Sequence, residues 1–302
     1  MSITFQVAGD YHFFLHSPEK TDFSDLITPS ERFLLTTGDI IQPYNENAYN
    51  FYSYCAKNWE KTYVMMGNQE YENSHQVFQS TMIEQYRLMK NLVDHINTEM
   101  GEVKLVFIQN TYVDLPEYSL RIIGLTLWAP KSNRQYLKGP TLGFSKFTTA
   151  LKEGDMYRLT YPGTSSKAGG GAVLRQVIKS WMPLDYKDNY TEVYESITVE
   201  DIKILQENDS SFLTKMIQES QEKNYKLLVC SHYIPTPDIK KESPIITSEN
   251  EFPLDFFCRD IRTTVQSPIV AWVCGHVHFE QTAYIGSIPI YINTPKITID
   301  YV

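Results

Sequence analysis

Ile269-Val270-Ala271-Trp272-Val273-Cys274-Gly275-His276-Val277-His278 is an apolar run of strand length that gives way, through one glycine, to two histidines. Its β-branched and aromatic residues read as a buried strand, so both imidazoles fall just past the strand's carboxyl end. Side chains two apart on an extended segment point the same way, which would aim both histidines into one place. The glycine permits a sharp turn or a close backbone approach. Taken alone, a His-x-His pair is a ligand pair or a coincidence, and its meaning rests on partners elsewhere in the chain.

Four earlier runs end in the same manner. Ser2 to Ala8 runs into Gly9-Asp10-Tyr11-His12, Phe33 to Thr36 into Thr37-Gly38-Asp39, Tyr63 to Met66 into Gly67-Asn68-Gln69-Glu70, and Lys226 to Cys230 into Ser231-His232. Singly, an Asp or Asn after Gly is most often a turn residue and a lone His a core or surface residue. Their joint occurrence after five apolar runs reverses that reading. Asn45 to Trp59 and His75 to Asn97 suit helices, the second with Phe78, Met82, Tyr86, Met89, Val93 and Ile96 near one face. Alternating strands and helices predict parallel sheets, whose carboxyl-end loops form the ligand crevice.

Val103 to Gln109, Thr111 to Leu115 and Leu120 to Leu127 read as further strands, the last two joined by a turn at Pro116-Glu117-Tyr118-Ser119. From about 129 to 197 no period is sustained apart from a helix at Ala172 to Trp181. This stretch reads as an insertion or lid within one domain spanning 1–302. Its Gly163 to Gly171 run lacks the Gly-Lys-Ser/Thr ending and the preceding strand of a phosphate loop, and reads as a flexible loop. Thr198, with Asp201 three residues on, opens a helix towards Gln221 with a break expected near Asn208-Asp209-Ser210. Pro253 to Val265 suits another helix. Gln281 to Tyr284, Ile288 to Ile292 and Ile297 to Val302 read as short strands.

Composition narrows the function classes. With 302 residues, 42% hydrophobic and 21% charged, the chain is that of a globular protein with a sizeable core. A formal net charge of −9 argues against nucleic acid or anionic membranes as partners, while leaving room for a local basic groove. No apolar run approaches the roughly 20 residues of a membrane span, and Met1-Ser2-Ile3-Thr4-Phe5 does not resemble an export signal, so a cytoplasmic location is expected. Cys230 and Cys274 lie inside core-like runs and neither Cys55 nor Cys258 belongs to a Cys-x-x-Cys pair, so all four cysteines are expected to be reduced. Oligomeric state is not written in any of these features.

Asp10, His12, Asp39, Asn68, His232, His276 and His278 together comprise two carboxylates, one amide oxygen and four imidazoles, a set able to hold two metals. Such mixed ligands suit Mn, Fe, Zn, Ni or Co better than Ca or Mg, and manganese is the first expectation.

The set resembles the calcineurin-like metallophosphoesterase family, through Asp10-x-His12, Gly38-Asp39, Gly67-Asn68, His232 and Gly275-His276-x-His278 in that family's order. Gly124-Leu125-Thr126-Leu127-Trp128 and Ser231-His232-Tyr233-Ile234-Pro235 are similar to its bacterial and viral members. The resemblance spans roughly 1–128 and 224–296. It implies a four-layer α/β/β/α sandwich with two central mixed sheets, interrupted by the irregular insertion. It further implies that Asp10, His12 and His278 bind one metal, that Asn68, His232 and His276 bind the other, and that Asp39 bridges them. The reaction it implies is hydrolysis of a small phosphomonoester or phosphodiester, nucleotides included, by a hydroxide bridging the two ions, with Asn68 and His232 among the catalytic residues.

One departure bears on that chemistry. The family usually has His after the Asn of its third motif, thought to donate a proton to the leaving group, and this chain has Gln69. A carboxamide donates a hydrogen bond but supplies no proton at neutral pH. The alternatives are a substrate with an acidic leaving group, an acid recruited from elsewhere such as His75 or a Tyr, and a weakened metal- or phosphate-binding module; a nuclease is a further reading. Lys131, Arg134, Lys138 and Arg158 could meet phosphate oxygens, although solvating a loop is the simpler account of them.

Overall fold

The computed structural model describes residues 2–13, 20–71, 82–129, 146–148, 158–160, 199–239 and 257–300. Among these, two sheets carry the fold. The first is assembled from β1 (Ser2–Ala8), β2 (Phe33–Thr36), β3 (Lys61–Val64), β4 (Leu105–Phe107) and β13 (Lys296–Asp300), in the order β13-β1-β2-β3-β4. β1 to β4 are mutually parallel and β13 closes the edge antiparallel to β1. The second contains β5 (Thr111–Leu115), β6 (Leu120–Leu125), β9 (Lys226–Ser231), β10 (Ile269–Cys274), β11 (Gln281–Ile285) and β12 (Ile288–Ile292), in the order β11-β12-β10-β9-β6-β5. Its four central strands are parallel, and β5 and β11 are antiparallel edges.

Strand alternation explains the layering, because successive side chains leave a strand on opposite faces. Phe5 and Val7, Leu35, Tyr63, Ile122, Leu228 and Cys230, and Ala271 and Val273 form one buried cluster, the shared interior between the sheets. Their neighbours Leu34, Val64, Ile123, Leu227, Val229 and Trp272 belong to the other cluster, together with helical residues. Helices α1 (Glu46–Asn58) and α2 (Met82–Met100) cover the first sheet, and α3 (Val199–Glu222) covers β6 and β9 of the second. α1 supplies Phe51, Tyr52 and Cys55, α2 supplies Met89, Val93 and Ile96, and α3 supplies Ile202, Leu213 and Met216. Full burial of each such aliphatic or aromatic side chain contributes about 1.5–3 kcal/mol. The result is the expected four-layer α/β/β/α sandwich with two central mixed sheets.

Several boundaries differ from the sequence expectation, each for a local reason. β3 ends at Val64 rather than Met66, because the Met65 and Met66 N–H groups leave the ladder to donate to Thr36 Oγ1 and Gln109 Oε1, both at 3.0 Å. The predicted break at Asn208-Asp209-Ser210 is absent: α3 runs through it, and the buried Asp209 accepts from Trp128 N at 2.9 Å across the layer. The predicted helix at Pro253 to Val265 is not formed over 257–265. There Cys258 bridges to Ile234, and Arg259 N donates to Ile234 O at 2.8 Å, so this segment is held as an extension of the loop after β9.

Of the stretch 129–197, the described parts are Ala129 and an antiparallel pair, β7 (Lys146–Thr148) with β8 (Arg158–Thr160). Lys131, Arg134, Lys138, the glycine run at 163–171, the helix expected at 172–181, Thr198 and His75 lie outside the described residues. None of the four cysteines is in a disulfide, and all are buried. Among the described residues, no helix is long and apolar enough to cross a membrane.

Candidate metal centre

The carboxyl ends of β1, β2, β3, β9, β10 and β12 open at one edge of the two sheets, and every strand-end residue singled out in the sequence lies there. Two groups form. Asp10, His12 and His278 place their ligand atoms within 4.8 Å of one another, as do Asp39, His232 and His276. The two histidines of the opening stretch therefore do not share one place. Both have left-handed backbone, with φ of 74° at His276 and 55° at His278, so the extended geometry that would align them ends at Cys274. Asp10, His12 and Asp39 are also left-handed, with φ of 56°, 50° and 53°. Non-glycine residues seldom adopt this region, and its concentration here is typical of functional sites held by surrounding structure.

In the first group Asp10 Oδ2 accepts from His276 N at 2.9 Å and, with the Asn293 carboxamide oriented to satisfy both neighbours, from the Asn293 side-chain N–H at 2.8 Å, while the side-chain oxygen of Asn293 accepts from His278 N at 3.0 Å. Asp10 Oδ1 is buried and accepts no hydrogen bond among the described residues. It lies 3.8 Å from His12 Nε2 and 3.7 Å from His278 Nε2, and those two nitrogens are 2.6 Å apart. Burial, with the nearby charge of Asp39, lifts the Asp10 carboxyl to about 6 against the pull of His232 and His12.

The second group converges on His232 Nε2. Asn68 Oδ1 is 2.9 Å away, His276 Nδ1 3.0 Å and Asp39 Oδ2 3.2 Å. His232 Nδ1 donates to the carbonyl of Thr37 at 2.9 Å, and because that oxygen can only accept, the neutral ring keeps its lone pair on Nε2. Burial disfavours the charged ring, yet Asp39 and Asp10 outweigh it and raise His232 to about 9. Burial likewise pushes Asp39 upward, and His232, His12 and His276 overcome it and hold Asp39 at about 2.

Both groups fit a cation. In the second, two oxygens and an imidazole nitrogen crowd a lone pair of His232, and a single proton or a single metal ion resolves the repulsion. In the first, an orphaned carboxylate oxygen faces two imidazole nitrogens. Nitrogen and carboxylate donors of this kind suit borderline divalent metals.

Two residues of the site were not singled out in the sequence. Asn293 follows β12 as the seven ligand-type residues follow their own strands, in Tyr291-Ile292-Asn293, and that pattern could have found it. Glu70 is buried in the 3-10 turn Gln69–Tyr71 and accepts from Gly67 N at 2.7 Å, Asp39 N at 2.8 Å, Ile40 N at 2.7 Å and Ile41 N at 3.2 Å. It clamps the loops after β2 and β3 together. Burial and the adjacent Asp39 raise its carboxyl to about 7. Gln69 donates its backbone N–H to Asp39 Oδ1 at 2.8 Å, and its side-chain Oε1 lies 2.8 Å from His12 Nδ1.

Close approach explains the glycines. A Cβ on Gly67 would stand 2.2 Å from Asp39 Oδ1, and one on Gly275 would stand 2.7 Å from Asp10 Oδ2. Neither position can carry a side chain without displacing Asp39 or Asp10.

No family model and no curated protein matches this sequence. Among solved structures, a phosphopantetheinyl hydrolase from Mycobacterium tuberculosis aligns over 96% of this chain and 88% of its own, with TM-score 0.50 and 15% identity. A dimetal phosphatase from Danio rerio aligns over 96% of this chain and 86% of its own, at TM-score 0.43 and 9% identity. A putative 5'-nucleotidase from Staphylococcus aureus aligns over 99% of this chain and 51% of its own, at TM-score 0.41 and 11% identity. The first likeness shows the fold alone: this chain shares the α/β architecture of that hydrolase, as the two mixed sheets themselves indicate.

Proposed function

We propose that the protein hydrolyses small phosphate esters with two divalent cations, manganese being the first candidate. Asp10, His12 and His278 would hold one ion, Asn68, His232 and His276 the other, and Asp39 would touch both. The observation that carries this reading is the convergence of seven ligand-type residues from five strand ends into two groups, with Asn68 joining the one around His232. When bound, paired divalent ions polarise phosphoryl oxygens and make a water molecule a strong nucleophile near neutral pH.

The chain's own residues set the remaining conditions. Asp10 and Asp39 have side-chain exposures of 6% and 2%, so both carboxylates would meet bound ions rather than bulk water. Thr37 holds the His232 ring with Nε2 inward. Gln69 transfers no proton, so a departing alkoxide would receive none from that position; this favours esters whose leaving groups are already acidic. This reading takes in monoesters and diesters, nucleotides among them, and we read the segment 129–197 as an insertion in a single domain. The absence of an acid at Gln69 also favours a second reading, a metal- or phosphate-binding module of the same fold.

Metal analysis beside turnover separates the two. The hydrolase reading expects two equivalents of metal and cleavage of nitrophenyl phosphate esters that chelation abolishes. Two bound ions with no turnover on a panel of aryl phosphomonoesters, phosphodiesters and single-stranded oligonucleotides would instead establish the binding module.

A further inference from the structure

We propose that Gln69 is a positioning residue that fixes the metal-facing tautomer of His12, an inference that rests on the reading of Asp10, His12 and His278 as a metal site. Gln69 Oε1 stands 2.8 Å from His12 Nδ1. A carboxamide oxygen only accepts, so the ring proton resides on Nδ1 and the lone pair on Nε2. That nitrogen is the one that meets His278 Nε2 at 2.6 Å and faces the orphaned Asp10 Oδ1. The arrangement repeats what the Thr37 carbonyl does for His232. One group is thus set by a main-chain carbonyl and the other by a side chain, which a substitution can remove.

Gln69 reaches both groups. Its backbone N–H holds Asp39 Oδ1 while its side chain holds His12, and the clamp made by Glu70 on Gly67 and Asp39 fixes the turn that carries it. The side chain is committed to a ligand histidine rather than left free to meet a substrate. Outer partners that orient a ligating imidazole also raise its basicity, and their loss weakens metal affinity by about 10–100-fold.

Two measurements on the full chain test this. Cobalt(II) titrations in a His276→Ala background report chiefly the Asp10/His12/His278 site, and long-range proton–nitrogen spectra of the metal-free protein report the His12 tautomer. Gln69→Leu is expected to weaken cobalt binding at that site by about 10–100-fold and to leave the His12 ring in mixed tautomers, whereas Gln69→Glu, which keeps an acceptor oxygen, restores both. Circular dichroism and thermal melting check that each variant is folded. Native cobalt affinity in Gln69→Leu, or equal loss in Gln69→Glu, overturns the proposal while the metal site stands. Failure of the parent protein to bind cobalt overturns the site and the proposal together.

Discussion

Asp39 Oδ2 lies 3.2 Å from His232 Nε2 with both side chains fully or almost fully buried, and it stands 4.0 Å from His12 Nδ1, the ring nitrogen opposite the one that meets His278. If Asp39 bridges two ions, Asp39→Asn should remove both together, because each loses its shared anionic ligand. Elemental analysis of the purified variant checks this. Loss of one ion only would show that Asp39 serves a single site.

Glu70 is the counterpart in stability. Glu70→Ala leaves four backbone donors buried without their acceptor, at about 1–3 kcal/mol each when no water replaces it. A loss of about 3 kcal/mol or more is expected in urea unfolding of the metal-free protein. Glu70→Gln, which retains one acceptor oxygen, should fall between the two.

Arg121 offers a test of structure apart from chemistry. Its guanidinium is fully buried between β6 and α3, bonded to Asp114 at 2.6 and 2.9 Å and to Glu219 at 3.3 Å, with the Tyr112 ring 3.9 Å away. Both carboxylates are about a quarter exposed, at 26% and 27%, so water softens their loss. Arg121→Met should cost about 2–3 kcal/mol, below the range for wholly buried pairs, and leave the metal content unchanged.

Stability should depend on pH through Asp209. Burial raises its carboxyl to about 7 in the folded protein, against the pull of Trp128 N and Arg259. The folded state therefore binds a proton that the unfolded chain, with an ordinary carboxyl near 4, releases. The stabilisation is complete below about pH 4 and is lost as pH rises through about 7. Relative to Asp209→Asn, the parent should lose stability between about pH 4 and about pH 7 in urea titrations; a constant difference would mean that Asp209 stays ionised.

Gln69→His tests the leaving-group argument. At saturating metal, an imidazole there should raise turnover of alkyl phosphate esters more than that of nitrophenyl esters, because only the former need a proton; general acids contribute about 10²–10⁴-fold. Equal changes in both would separate Gln69 from proton delivery altogether.

All seven ligand-type residues were legible because each follows an apolar run, and parallel strands bring such ends together whatever their distance in sequence. The two sheets followed from the same alternation. What stayed hidden was fixed by backbone direction and by tertiary partners. That His276 and His278 join different groups was implied by the family resemblance and not by the strand period, because the left-handed φ that parts them is announced by no residue type. Glu70 matters because the loop Asp39-Ile40-Ile41 curls its amides around one point. Asp209 sits inside a helix where its residue type suggests a break, since Trp128 across the layer needs an acceptor.

The most direct test is the metal stoichiometry of the two histidine variants beside the parent. The parent should bind two equivalents of manganese or a similar divalent ion, His278→Ala should retain one held by Asn68, His232 and His276, and His276→Ala should retain one held by Asp10, His12 and His278. A parent that binds no metal, or two variants that lose the same site, would contradict the dinuclear centre.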